Sequence, residues 1–578
     1  MSEDNVLPEN GEEVRKTWFG HPRGLAVLFF AEMWERFSFY GMRALLVLYL
    51  TQHFFFSDTK SQGIYAAYAS LVYFMPVVGG FIADRYLGSR KAILIGAIFL
   101  TLGHFTMVFE GPEPTEHLVY QNQTWDIMSE GRGESRHLFA VDESGKQPLS
   151  FSADGAIIGD RANGDTITLP RGEFQTVIER NTFYEGVLFF ALSLITVGVG
   201  FLKANISTIV GDLYHKTDPR RDSGFTIFYM GINLGSLLST ILCGWLGIAY
   251  GWSYGFGLAG IGMLIGLITF VVGKPLLEGR GEPPKELTSS LVWLTWVGGA
   301  LALLPLYWLT QHDQVVSTTL NYFAPAIFVA MFLYSLIFLR GKVRSRMIAA
   351  IILIVFSVLF WTLFEQAGSS LTLYAARNSD LTIIPGVFSI TSAQTQFFNP
   401  LMIVLLAPLF AWLWQASSRR KLEPSTPLKF AFGLIQVGLG FLVLVFGAKT
   451  FNYQVETAEG IRILVPLIWL FLAYLFHTTG EICLSPVGLS MITKLSAPRL
   501  VGLMMGVWFL STSLAHSLAG SIAKMTSSET VGGVVVNPQE QFDTYISVFT
   551  NIGLVGVAIG LVLLVCSPIL RRMMAGIH

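Results

Sequence analysis

The chain has 578 residues, 52% of them hydrophobic and only 13% charged, with a mean hydropathy of +0.56. Soluble domains carry about a quarter charged residues, so this composition excludes a water-soluble globular fold, and repeated apolar runs of about 20 residues imply a polytopic all-α membrane protein. A formal net charge of −1 gives no electrostatic case for a nucleic-acid partner, and Cys243, Cys483 and Cys566, each inside an apolar run, supply neither a disulfide framework nor a CxxC metal site.

Residues 1–24 are acidic and polar, unlike a cleaved signal peptide, and read as a disordered cytoplasmic tail. About fourteen spans follow, near 25–55, 61–87, 91–110, 183–213, 222–250, 254–275, 287–311, 321–340, 346–375, 389–416, 426–449, 463–493, 499–526 and 543–574. They divide into an N-terminal six-helix bundle (25–275), two additional helices (287–340) and a C-terminal six-helix bundle (346–574). Lys and Arg concentrate in alternate connections, such as Arg85, Arg90 and Lys91 or Arg340, Lys342, Arg344 and Arg346, which sets both termini on the cytoplasmic side.

The first span carries Glu32, Glu35, Arg36 and Arg43. On a helix Glu32, Arg36, Tyr40 and Arg43 form one polar stripe, with Glu35 at its edge. A charge at the centre of a membrane helix costs roughly 2.5–3.5 kcal/mol, so four on one span must face protein or water and pair, as in a substrate or proton path. On the second span Tyr65, Tyr68 and Tyr73 share one side, which suits a cavity wall. The connection to the third holds Gly80, Asp84, Arg85, Gly88, Arg90 and Lys91; its glycines permit close packing, and Asp84 can latch onto a basic group or helix end.

Residues 111–181 break the rhythm as a polar insert of about 70 residues. Turn signals at Asp154-Gly155 and Asn163-Gly164, with alternating runs such as 150–158 and 165–169, predict small β-hairpins on the outer, periplasmic face. Asn122 opens a glycosylation sequon of a kind that arises by chance.

Lys203 lies mid-way along the fourth span and needs an anionic partner; Glu365 on the seventh bundle span is the candidate. Gly198-x-Gly200 has no Walker pattern and no preceding strand, so it is no nucleotide loop. Asn233 and Asn399 are amides within spans. The middle pair, 287–340, holds His312 and Asp313 only in its connecting loop and reads as structural. Glu481 sits between Gly480 and Pro486, where a helix break is tolerable if it lines a cavity. His477, one turn earlier, lacks the further ligands of a metal site. No Ser-His-Asp or HExxH arrangement argues for catalysis, so no enzyme, catalytic residue or metal is expected.

The segment from Gly80 to Lys91 resembles the signature loop of the major facilitator superfamily, and Glu32-Met33-Trp34-Glu35-Arg36-Phe37 resembles the ExxERF motif of its proton-dependent oligopeptide transporter (POT/PTR) branch. Residues 225–236, 198–207, Phe364-Glu365-Gln366, Phe398-Asn399-Pro400 and 480–490 resemble that family's fifth, fourth, seventh, eighth and tenth spans. The resemblance implies a major facilitator fold, two six-helix bundles with two extra helices, in a cell inner membrane. It also implies proton-coupled symport of di- and tripeptides by alternating access, with protons as coupling ion and no cofactor. Carried onto this chain, Arg36 and Lys203 grip the peptide carboxylate, Glu481 with Asn233 and Asn399 holds the amino terminus, and Tyr40, Tyr68 and Trp508 form an adaptable wall. Glu32, Glu35, Arg43, Lys203 and Glu365 serve proton coupling and gating. Two positions depart from the pattern: Phe39 replaces a tyrosine, and Ala66 stands where animal relatives have a histidine, which leaves protonation to carboxylates. A nitrate or drug transporter of the same fold, or a transport-fold receptor, is the alternative.

Overall fold

The computed structural model describes residues 17–131, 136–152, 154–159, 166–215, 217–283, 288–420 and 422–576, the side chains of 485–487, 489, 490 and 493 excepted. In chain order the helices are α1 (Gly24–Gln52), α2 (Asp58–Ile82), α3 (Ser89–Thr106), α4 (Thr182–Asp212), α5 (Arg221–Ala249), α6 (Trp252–Gly273), α7 (Ser289–Gln311), α8 (Asp313–Phe338), α9 (Gly341–Phe364), α10 (Ser370–Asn378), α11 (Phe398–Arg419), α12 (Thr426–Phe451), α13 (Leu467–Leu495), α14 (Val501–Lys524) and α15 (Pro538–Met573). All but α10 have 18 or more residues, so the described residues contain the fourteen expected long helices. Twelve helical segments are long and apolar enough to cross a membrane by composition. The two long helices outside that set are α1, with its four charges, and the 18-residue α3.

The helices gather around two large apolar cores. One is centred on α1, α4 and α6 (Leu45, Leu48, Phe189, Phe256). The other is centred on α9, α12 and α15 (Phe360, Phe430, Phe441, Phe549). Within the first half α1 packs on α5 and α6, and α3 on α4 and α6; within the second, α12 packs on α13 and α15. The α7–α8 hairpin lies along the seam, with α7 against α4 and α8 against α14 and α9, while α2 and α14 face each other across it.

Small residues set these distances. A Cβ at Gly235 would stand 2.1 Å from the Met33 carbonyl oxygen, so only glycine lets α5 approach α1 this closely. Gly198 meets Leu100 on α3 while Gly200 meets Met75 on α2, so the paired glycines of α4 serve two helix contacts.

The insert is β-rich, as expected. Its strands run antiparallel in the order Gln175–Glu179, Thr115–Tyr120, Gln123–Glu130, His137–Asp142 and Gly145–Ser152. Gly155–Ile158 pairs with Gly145–Ser152 and in turn with Ile167–Pro170. Asn122, with Gln121, has positive φ and forms the two-residue turn between the second and third of these strands, a position that favours Asn for backbone reasons alone. Gly155 follows the expected turn (φ +141°); Asn163-Gly164 lies outside the described residues. The sheet does not end with the insert. Gly460–Pro466, part of a hairpin with Tyr453–Thr457, joins Gly145–Ser152 in parallel, and Ser379–Asp380 joins Gly460–Pro466. Leu118, Trp125 and Phe151 form its core with Val531 and Val536, which precede α15.

Two expectations are corrected and one is refined. The expected span 346–375 lies within one membrane-length segment, Gly341–Asn378, but it is not one continuous helix: α9 stops at Phe364, a 3₁₀ turn covers Glu365–Gly368, and α10 restarts at Ser370. Gln366 holds the break by donating to the Thr362 and Ala519 carbonyls, at 3.2 and 3.0 Å, so its backbone is not left bare in an apolar setting. The end of the tail is ordered, because Thr17–Trp18 pairs with His21–Pro22 and the His21 ring nitrogen lies 2.8 Å from the Tyr214 hydroxyl; residues 1–16 lie outside the described set. In the connection after α2, Asp84 is exposed with no ion pair among the described residues. Arg90 makes the latch instead, pairing with Glu282 and donating to the Lys274 carbonyl at 2.7 Å.

Candidate functional site

A cavity of about 210 Å³ lies between the halves. From the first half it is lined by Tyr40 and Arg43 of α1, Tyr73 of α2, and Tyr229, Asn233 and Ser236 of α5. From the second come Trp361, Glu365, Gln396, Asn399, Tyr474 and Glu481. Four of the eight residues expected to bind peptide line it: Tyr40, Asn233, Asn399 and Glu481. Arg36, Tyr68, Lys203 and Trp508 lie outside its wall.

The stripe on α1 has two separate partner sets. Arg36 Nε donates to Glu32 Oε1 at 2.7 Å and lies 3.1 Å from Glu35 Oε2, all three side chains being buried. The remaining oxygen of Glu32 has no hydrogen-bond partner among the described residues. Two turns further on, Arg43 pairs with Glu365 across the seam and donates through Nε to the Tyr65 hydroxyl at 2.7 Å. Gly368 makes this approach possible, because a Cβ there would stand 1.9 Å from that hydroxyl. The helix break therefore both presents Glu365 and clears the path to it.

Lys203 is not the partner of Glu365. Its ammonium lies over the Tyr73 ring, 3.4 Å from the centroid, and it makes no ion pair among the described residues. Arg43 takes the carboxylate instead, since its delocalised fork serves Tyr65 and Glu365 together. Tyr68 is fully buried and its hydroxyl has no partner among the described residues. Trp508 packs its ring over Gly488, where any Cβ would meet it at 2.5 Å.

On the opposite wall Asn399 Nδ2 donates to Glu481 Oε2 at 2.8 Å and to Thr478 Oγ1 at 3.1 Å, fixing the carboxylate. Asn233 donates to the Tyr229 carbonyl at 3.0 Å. His477 packs against Phe441 at 4.7 Å, and no group of three metal-ligating side chains occurs among the described residues.

Several residues escaped the sequence reading. His516 on α14 is buried, lies 3.9 Å from Glu365 Oε1 and packs on the Tyr73 ring at 4.6 Å. It is a titratable residue within an apolar span, which was the available signal. Ala66, where the animal histidine would stand, packs so tightly on Gly520 that a Cβ on the glycine would meet it at 2.1 Å. The His516 imidazole stands at the seam on the facing helix, one turn before Gly520. Two further ion-pair sets join the halves on the insert-bearing side. Arg377 of α10 grips Asp58 of α2 with both Nη atoms, at 2.6 and 2.7 Å. Asp313, the first residue of α8, lies 2.6 Å from Lys524 of α14 and 3.3 Å from Lys60 of α2. Among the described residues, no ion pair joins the halves on the opposite side.

Paired apolar cores, membrane-length helices and a polar cavity at the seam define a multi-pass membrane protein of the major facilitator fold. The POT family model matches residues 90–537, and the chain belongs to that family. It is 32% identical to an uncharacterized transporter, YclF, of Bacillus subtilis, over 97% of each chain. It is 30% identical to dipeptide and tripeptide permease A of Serratia proteamaculans, over 99% of this chain and 96% of the relative. Among solved structures it resembles a mutant peptide transporter POT in complex with alafosfalin, with TM-score 0.72, 31% identity and coverage of 97% and 98% of the two chains.

Proposed function

We propose that the protein is a proton-coupled symporter that imports di- and tripeptides by alternating access. The observation that carries this reading is the cavity at the seam, where a cation–carboxylate pair (Arg43 and Glu365) and an amide-held carboxylate (Glu481 and Asn399) face one polar space. A short peptide is a zwitterion and needs fixed charge of both signs. The names of the Serratia relative and of the alafosfalin-bound transporter support the substrate class.

In this reading Glu481 receives the peptide ammonium, with Asn399 and Asn233 beside it and Tyr40 on the same wall. Arg36 and Lys203, for the carboxylate, and Tyr68 and Trp508, for the side chains, lie outside the wall in this conformer and meet the peptide only after the helices rearrange. A proton on Glu365 weakens its hold on Arg43 and opens the insert-bearing side; protons on Glu32 and Glu35 free Arg36 to turn toward substrate. The insert faces the periplasm, both termini face the cytoplasm, and the membrane is the cell inner membrane. The ion pairs on the insert-bearing side support a conformer closed on that side.

Competition binding to the purified protein tests the substrate class. Dialanine and trialanine displace a labelled dipeptide, while tetraalanine and nitrate do not. Displacement by nitrate or by uncharged drugs, with no effect of dialanine, contradicts the reading.

A further inference from the structure

A second cavity, of about 390 Å³, lies on the insert-bearing side and shares no wall residue with the central one. Its size falls in the range of small-molecule sites. Both halves and the insert contribute to it: Gln52 and Ile248 from one half, Asn378, Arg462 and Gln541 from the other, and Arg136 from the insert. Ser389 and Ile461 on its wall are exposed, so solvent reaches it.

Its polar groups are unspent. Arg136 Nε and Nη2, Gln541 Nε2 and Asn378 Oδ1 are all buried without a hydrogen-bond partner among the described residues. Asn378 and Gln541 are 1% and 3% exposed, so bulk water does not satisfy them. Leaving such a group unmatched is destabilising. Asn378 donates through Nδ2 to the Ile463 carbonyl at 3.1 Å, which fixes its amide and turns the acceptor oxygen free. Arg462 is bound to the Ala376 carbonyl at 2.8 Å and Arg377 is held by Asp58, whereas Arg136 lies in the field of Glu113, Glu459 and Glu116 but makes no direct ion pair with them among the described residues, which leaves it the cation a ligand can bind. Glu459 supplies the opposite charge; its backbone oxygen is fixed by the Phe151 N–H at 2.8 Å.

We infer that this cavity is a second binding site, for a small zwitterion of dipeptide size, with the ligand carboxylate on Arg136, its ammonium toward Glu459 and Asn378 Oδ1, and a carbonyl on Gln541. That the occupant is the transported peptide rests on the function proposed above; the site itself rests on the unmatched groups. The site holds peptide at the insert face while the path to the central cavity is closed.

Equilibrium binding of radiolabelled dialanine to the full-length protein in detergent counts the sites. The wild type binds two per chain. Arg136→Gln and Gln541→Ala, on opposite walls of the cavity, each leave one, with its affinity changed less than twofold. Glu481→Gln weakens the other at least tenfold. One site per chain that Glu481→Gln abolishes and both cavity variants leave intact overturns the second site. One site that Arg136→Gln and Gln541→Ala abolish and Glu481→Gln leaves intact supports it, and removes the central cavity from the peptide reading instead.

Discussion

At the scale of single residues, charge pairing decides the chemistry. Arg36 is clamped by Glu32 and Glu35 on its own helix, whereas Arg43 reaches across the seam to Glu365. One pair is local and the other joins the halves, so the same kind of contact has two mechanical consequences. With Glu365→Gln the charge that holds Arg43 is permanently absent. Accumulation of dialanine driven by a pH gradient is lost while exchange of internal for external dialanine persists; accumulation at the wild-type level would remove Glu365 from the coupling. The Asp58–Arg377 pair is also buried across the seam, with side chains 1% and 12% exposed. Breaking such a pair from one side costs about 3–5 kcal/mol, because the remaining charge stays unmatched. Asp58→Asn therefore lowers the melting temperature clearly, and adding Arg377→Gln recovers part of the loss. Additive losses in the double variant would mean that the two residues do not act as a pair.

At the scale of elements, close backbone approach and long-range pairing do what local sequence cannot. Gly235→Ala forces a methyl to within 2.1 Å of the Met33 carbonyl oxygen, so α1 and α5 separate. We expect a loss of about 1–3 kcal/mol, read as a lower melting temperature, together with weaker dialanine binding as Asn233 shifts; an unchanged melting temperature would contradict this contact. The insert carries its own pH dependence. Glu116 is buried, accepts the Gly532 N–H at 2.5 Å, and burial raises its carboxyl to about 7. The docked state binds a proton more readily than the unfolded chain between the ordinary glutamate value and about 7, so docking weakens as pH rises through that window. Protection factors, which remove the intrinsic pH dependence of amide exchange, are higher across Thr115–Tyr120 and residues 530–535 at pH 5.5 than at pH 7.5, and Glu116→Gln flattens the difference.

The whole molecule shows which of these features sequence exposes. Fourteen long helices among the described residues and a β-rich insert are legible because bilayer length and alternation are local signals, and the intramembrane charges Glu32, Arg36, Lys203, Glu365 and Glu481 stand out against apolar surroundings. Their partners are not legible. Lys203 and Arg43 are both cations within reach of an argument for Glu365, and only the helix break at Glu365–Gly368 decides between them. That break is invisible in an unbroken apolar run, because the hydrogen bond from Gln366 to Ala519 that supports it comes from a distant helix. The pairing of Gly460 with Phe151, which ties the second half to the insert, has the same long-range origin. Arg377 and Asp313 read as ordinary residues of outer connections, yet each closes the seam from the insert side.

Alternating access around a seam cavity, driven by protons, is the central claim. Purified protein in liposomes, given an inward pH gradient and labelled dialanine, tests it most directly. Dialanine accumulates above its external concentration, and that accumulation collapses with a protonophore and is lost in Glu365→Gln. Equilibration without accumulation, or tight binding without uptake, would contradict it.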